Sequence, residues 1–136
     1  MTLFVDTSAL VALADRTDQF HRTAKSFVEG LPPAASFQTS NYVLDETITR
    51  LRSTLGVDAA VRTAESIWNS AWYTIQTVDQ AIERRALTLM RKYAEHHLSF
   101  TDCTTLVFLE RMRADQVFAF DHDFHRVGYL LVPGAS

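Results

Sequence analysis

Apolar residues along this chain follow two rhythms. Short, β-branched or aromatic runs such as Leu3-Phe4-Val5 and Val117-Phe118-Ala119-Phe120 read as buried strands, and each ends on an aspartate. Longer stretches carry apolar residues at helical spacing; the clearest is Leu44, Ile48, Leu51 and Leu55 within Asn41–Leu55, where Gly56 supplies the stop. This pattern predicts strands at Thr2–Asp6, near Ala35–Gln38, at Trp72–Thr77 and at Gln116–Phe120, with an edge strand at Tyr129–Val132 closed by Pro133. Helices are expected at Ser8–Asp15, roughly Gln19–Glu29, Asn41–Leu55 and Asp58–Asn69. Two capping boxes open further helices: Thr77-Val78-Asp79-Gln80, running to about Glu95, and Ser99-Phe100-Thr101-Asp102, running to about Arg113.

Strands that alternate with helices imply an α/β fold with a mostly parallel sheet and helices on both faces. In such sheets sites form beyond the carboxyl ends of the strands. The strand-ending Asp6 and Asp121 are therefore expected to meet, and Asp102 opens a helix whose N-terminus can face them.

Composition narrows the class. At 136 residues the chain fits a single domain, 1–136, with no repeat or low-complexity segment. A net charge of −3 gives no global attraction to nucleic acid. One cysteine, Cys103, permits neither an internal disulfide nor a thiolate cluster, which suits a reducing, cytoplasmic setting. No apolar run approaches the ~18 residues of a membrane span. There is no G-x-x-x-x-G-K and no G-x-G-x-x-G motif.

The candidate chemistry lies in Asp6, Glu46, Asp102 and Asp121. Two unit charges about 4 Å apart repel by roughly 4 kcal/mol at an effective dielectric of ~20, so a chain that gathers four carboxylates is most simply read as holding a hard divalent cation such as Mg²⁺. Each residue also has a plainer reading. Asp6 is placed to cap a helix, although Thr7 and Ser8 can do the same. Asp102 is the reciprocating residue of the Ser99 box. Glu46 lies about 200° around the helical wheel from Leu44, on an expected solvent face, and Asp45 beside it competes for any inward role. Asp121 and Asp123 fit a polar turn; in an extended segment they point the same way.

The segments Phe4-Val5-Asp6-Thr7-Ser8-Ala9-Leu10, Asp45-Glu46-Thr47 with Arg50-Leu51, Phe100-Thr101-Asp102 and Ala119-Phe120-Asp121-His122-Asp123-Phe124 resemble the four motifs of the PIN domain, and more narrowly the VapC-like toxin ribonucleases of type II toxin–antitoxin pairs. The resemblance spans essentially the whole chain. It implies a three-layer α/β/α fold and Mg²⁺- or Mn²⁺-dependent endoribonuclease activity. Carried over, it makes Asp6, Glu46, Asp102 and Asp121 the acidic set, with Asp6, Asp102 and Asp121 on the metal. Glu46 then binds through water or orients the attacking water, and Asp123 is an additional ligand. Thr7 or Ser8 is the supporting hydroxyl. It further implies an RNA substrate, a homodimer and an antitoxin partner covering the groove. Leu44/Ile48/Leu51 and Phe20/Phe27 are candidate contact surfaces, although as core they need no further explanation. Arg16, Arg50, Arg52 and Arg126 are candidate RNA contacts, and Trp68 and Trp72 read as core or dimer-contact residues.

Other readings weigh less. The histidines at 21, 96, 97, 122 and 125 scatter apart from the Asp121–His125 cluster, so a transition-metal site lacks a second ligand pair. A phosphatase with an early aspartate nucleophile wants a second Asp two residues on, where this chain has Ser8. The alternative of a different class is a non-catalytic PIN-like module that binds RNA or protein.

Overall fold

The computed structural model describes residues 1–134. Its elements run β1 (Thr2–Phe4), α1 (Thr7–Ala14), α2 (His21–Glu29), β2 (Ser36–Ser40), α3 (Asn41–Leu55), α4 (Val57–Trp68), β3 (Tyr73–Gln76), α5 (Gln80–Lys92), α6 (Phe100–Met112), β4 (Gln116–Phe118), α7 (Asp123–Arg126) and β5 (Leu130–Val132). Every strand and every long helix expected from the apolar pattern is present. The differences are local. β4 stops at Phe118, and α7 is a short helix where an extended or turn segment was expected.

All strand pairs are parallel. β1, β2 and β3 form one ladder, with Leu3 opposite Phe37 and Phe37 opposite Tyr73, and β4 and β5 form a second, with Val117 opposite Leu131. A parallel bridge between Val5 and Phe118 joins the two ladders, so the order across the molecule is β3-β2-β1-β4-β5. The chain builds outward from β1 to β3 and then crosses back to β4. Because parallel crossovers are right-handed, that reversal sends α5 and α6 to the face opposite α1–α4. The aromatic packing agrees: Phe4 stacks on Phe108 of α6 at 5.6 Å, whereas Phe118 meets Phe27 of α2 at 4.9 Å. The result is three layers, helix–sheet–helix, with Phe4, Phe37, Phe118 and Phe124 fully buried.

Local chemistry sets the boundaries. Ser40 caps α3, its hydroxyl accepting from the Val43 amide at 3.1 Å. Gly56 separates α3 from α4 with φ of 93°, a left-handed value that side-chain-bearing residues rarely adopt. The second predicted capping box holds in full: the Ser99 hydroxyl accepts from the Asp102 amide at 3.0 Å, and Asp102 Oδ2 accepts from the Ser99 amide at 3.0 Å. The first shifts by two residues. Asp79, not Thr77, caps α5 and accepts from the Ile82 amide at 3.0 Å, because the short carboxylate reaches the third amide on directly.

For three apolar clusters the structure decides between core and contact surface. Leu44 and Leu51 are buried and Phe20 stacks on Phe120 at 4.5 Å, so these clusters pack as core, with Ile48, Phe20 and Phe27 partly buried against it. Trp68 and Trp72 are 59% and 50% exposed, which removes the core half of their reading and leaves the contact-surface half. Together with Val57 and Val61 they leave an apolar strip running along α4 to the turn before β3.

This distribution predicts unequal mutational costs. Leu51, fully buried between α1, α3 and α4, should lose about 2–5 kcal/mol on conversion to alanine, whereas Val61→Ala should stay within about 0.5 kcal/mol. Urea denaturation of both variants measures the difference.

Candidate active site

The reversal of strand order lies between β1 and β4, and the open end of such a switch point is where α/β sheets bind ligands. Here the backbone is stitched across the gap. The Asp6 amide donates to the Phe118 carbonyl at 3.0 Å, and the Phe120 amide donates to Ser8 Oγ at 2.9 Å. Asp6 and Asp121, 115 positions apart in sequence, are therefore held beside one another.

Asp6 is the N-cap of α1, a role the sequence left open to Thr7 or Ser8. Its Oδ2 accepts from the Ser8 amide at 3.1 Å and from Ser8 Oγ at 2.8 Å. Ser8 thus relays between Asp6 and the backbone next to Asp121. Thr7 turns elsewhere: its hydroxyl donates to the Val43 carbonyl of α3 at 3.5 Å, tying two helices together. Of the two candidate supporting hydroxyls, Ser8 touches the acidic set and Thr7 does not.

Asp6 is 4% exposed and Asp102 9% exposed, and both are pushed far from the ordinary carboxylate range. Burial raises the Asp6 carboxyl to about 6; the hydrogen bonds from Ser8 oppose that rise, and the charge of Glu46 adds to it. Burial likewise raises Asp102 to about 7, with further contributions from the charges of Asp6 and Asp121. Each of the four expected carboxylates is thus close enough to another for its charge to be felt. Glu46 is half-buried and acts on Asp6, whereas Asp45 is exposed.

One carboxylate oxygen from each of Asp102, Asp121 and Asp123 lies within 4.8 Å of the others. Asp123 joins by a tight turn, not by an extended strand: Asp121 Oδ1 accepts from the Asp123 amide at 3.0 Å, and Asp123 opens α7. Burial and the neighbouring Asp121 raise the Asp123 carboxyl, while Arg126 and His97 pull it down. The expected trio was Asp6, Asp102 and Asp121; the trio that meets this spacing has Asp123 in place of Asp6. All-oxygen donors converging at this distance fit a hard divalent cation, because they otherwise confront one another with little to neutralise them.

Two features had no signal in the sequence. Arg126 Nη1 lies 3.0 Å from Asp123 Oδ1, a pairing that exists only because α7 forms. Thr105, one turn beyond Asp102 on α6, is fully buried with its hydroxyl unpartnered. Spacing of three places it on the same side of the helix as Asp102. Arg16, Arg50 and Arg52 are exposed, and Arg50 stands one helical turn from Glu46.

A parallel three-layer sheet with acidic residues at its switch point defines a class, and comparison with known proteins agrees with it. The chain belongs to the PIN domain family, whose model matches residues 3–130. It is 35% identical over 130 residues to the 23S rRNA-specific endonuclease VapC20 of Mycobacterium tuberculosis (strains CDC 1551 / Oshkosh and H37Rv), a match covering 96% of this chain and 97% of that protein. The crystal structure of that VapC20, described as a sarcin–ricin loop cleaving toxin, superposes with a TM-score of 0.87 at 34% identity, covering 94% of this chain and 96% of the other. VapBC2 from Rickettsia felis, solved bound to a promoter DNA fragment, shares the fold at a TM-score of 0.65 and 10% identity, over 96% and 97% of the two chains.

The raised carboxyls make the metal-free protein pH-sensitive in a definite direction. Asp6 and Asp102 move up from 3.8, so the folded state holds their protons more tightly than the unfolded state does. That stability is complete below about pH 4 and is lost as pH rises through about 6 and 7. In chelator, the melting temperature should fall between pH 5 and pH 8, and an Asp6→Asn, Asp102→Asn double variant should fall less. Calorimetry across that range checks it. Separately, Ser8→Ala removes the hydroxyl bond that favours ionised Asp6, keeps the backbone one and strands the Phe120 amide; a loss of about 1–2 kcal/mol in denaturant unfolding is expected.

Proposed function

We propose that this chain is a divalent-metal-dependent endoribonuclease and the toxin of a toxin–antitoxin pair, with ribosomal RNA as its substrate. The observation that carries the reading is the convergence of Asp6, Glu46, Asp102, Asp121 and Asp123 at the switch point, where the charges of Asp6 and Asp121 help to raise Asp102. The full-length likeness to an endonuclease specific for 23S rRNA supports the substrate class.

Asp102, Asp121 and Asp123 would hold the cation, with Asp6 completing its surroundings and Mg²⁺ or Mn²⁺ the expected species. The bound cation supplies charge neutralisation for a phosphodiester and lowers the pKa of a coordinated water. The remaining work falls to the protein. Glu46, half-buried on α3 and felt by Asp6, orients the attacking water and accepts its proton. Ser8 fixes the Asp6 carboxylate through two hydrogen bonds and so sets the direction of its remaining lone pairs. The Ser99 box does the same for Asp102 from the start of α6. The α6 N-terminus adds a partial positive charge that favours an anionic carboxylate there. Arg50 and Arg126, exposed near Glu46 and Asp123, are placed to contact the RNA backbone.

The partners follow the same reading. A groove of about 420 Å³ between α1 and α4, lined by Leu10, Leu13, Ile67 and Tyr73 with Arg62 among its polar residues, suits an antitoxin segment carrying apolar and acidic side chains. The exposed Val57, Val61 and Trp68 strip suits a second copy in a homodimer. Among the described residues no helix is long and apolar enough to cross a membrane. The proposed site of action is the cytoplasm, where its substrate lies and where the buried thiol of Cys103 stays reduced.

The deciding experiment incubates purified protein with total bacterial RNA and with a sarcin–ricin loop oligonucleotide, in Mg²⁺ and in chelator, and maps the new ends. Cleavage should require the cation and fall at least about a hundredfold in Asp6→Asn and in Asp102→Asn, a loss typical of removing a preorganised charged group. Cleavage that persists in both variants would falsify the site. Mg²⁺ binding with no cleavage of any RNA would point to a non-catalytic RNA-binding module.

A further inference from the structure

Arg126 is the one basic side chain forming an ion pair within the acidic cluster among the described residues. The pair is built by local geometry. α7 is only four residues long, and it places Asp123 and Arg126 three apart on one face, with Nη1 3.0 Å from Oδ1. The same Asp123 supplies one of the three converging oxygens and, through its amide, fixes Asp121 Oδ1. The guanidinium side chain is 62% exposed while the Asp123 side chain is 21% exposed, so the arginine reaches in from the rim.

We propose that Arg126 is a built-in counter-ion. In the metal-free protein it offsets part of the repulsion among Asp102, Asp121 and Asp123, and it competes with the divalent cation for Asp123. When the cation takes Asp123, the guanidinium is released at the mouth of the site, where it serves as a binding residue for a phosphate of the RNA strand. This rests on the nuclease reading for its second half and on geometry alone for its first. An exposed ion pair is weak, so the competition is readily reversed and does not block loading. A full positive charge next to a cation site also opposes a second positive charge directly. Both effects act in the same direction on metal affinity. On RNA affinity the arginine acts in the opposite direction, since each phosphate contact strengthens binding and steepens its salt dependence. That opposition of sign is what a merely structural helix contact would not produce.

The test uses Arg126→Gln and Arg126→Lys in the full chain, with circular dichroism confirming that both fold. Mg²⁺ and Mn²⁺ affinities are read from metal-dependent shifts in melting temperature at pH 7.5, without RNA. Arg126→Gln should bind each cation about threefold to tenfold more tightly than wild type, and Arg126→Lys should remain close to wild type. Binding of a fluorescent single-stranded RNA in Ca²⁺ should weaken severalfold in Arg126→Gln, with a shallower salt dependence. Unchanged or weaker cation binding in Arg126→Gln overturns the counter-ion role. Unchanged RNA binding overturns the phosphate role. Tighter cation binding in a protein that cleaves no RNA would support the counter-ion while removing the nuclease reading on which the phosphate role depends.

Discussion

Everything at the functional end of this protein depends on how β1 is joined to β4. A single parallel bridge, Val5 with Phe118, closes two ladders into one sheet, and two further hydrogen bonds continue past it: Asp6 amide to Phe118 carbonyl and Phe120 amide to Ser8 Oγ. These bonds hold strand ends in contact although the carboxylates they carry repel one another. The force that closes the seam is the burial beneath it. Phe4, Phe37, Phe118 and Phe124 are sealed between the two helical layers, and each is large enough to contribute roughly 2–3 kcal/mol by removal from water. Hydrophobic burial, which is insensitive to direction, thus overcomes a local electrostatic cost that is highly directional.

That cost is stored where it can be used. Two carboxyls whose protons are held up to about pH 6 and 7 are poorer ligands than ordinary aspartates; a divalent cation shifts the balance by rewarding their ionised forms. The hydrogen bonds that restrain them are mostly local, from Ser8 to Asp6, from Ser99 to Asp102 and from the Asp123 amide to Asp121. Each carboxylate is therefore oriented by its own helix cap or turn before the tertiary fold brings the group together. Helix capping and site chemistry, which compete as explanations when each residue is read alone, turn out to be the same arrangement. The cap fixes one oxygen and thereby aims the other.

The fold was largely legible in the apolar pattern. Strand-length runs ending in aspartate and helical stripes with stops such as Gly56 located every long element, because burial on one or both faces leaves a periodicity that needs no partner to be seen. The failures came where a short-range competition decided. Asp79 displaced Thr77 as the cap of α5, and α7 formed where Asp121–Asp123 had been read as an extended or turn segment. The clusters at Leu44/Ile48/Leu51 and Phe20/Phe27 stayed open between core and contact surface for a different reason: periodicity marks an apolar face but says nothing about what covers it.

By itself the sequence determined the α/β class, the parallel order, the strand-end placement of Asp6, and the helix-start placement of Asp102, since each of these follows from local pattern and chain connectivity. Only the tertiary structure decided which carboxylates share a space. It brought Asp123 to Asp102 and Asp121, turned Glu46 and not Asp45 toward Asp6, gave the supporting contact to Ser8 instead of Thr7, and set Arg126 against the cluster. Those outcomes depend on how helix starts and strand ends are turned toward one another in space, which the apolar pattern along one element does not carry.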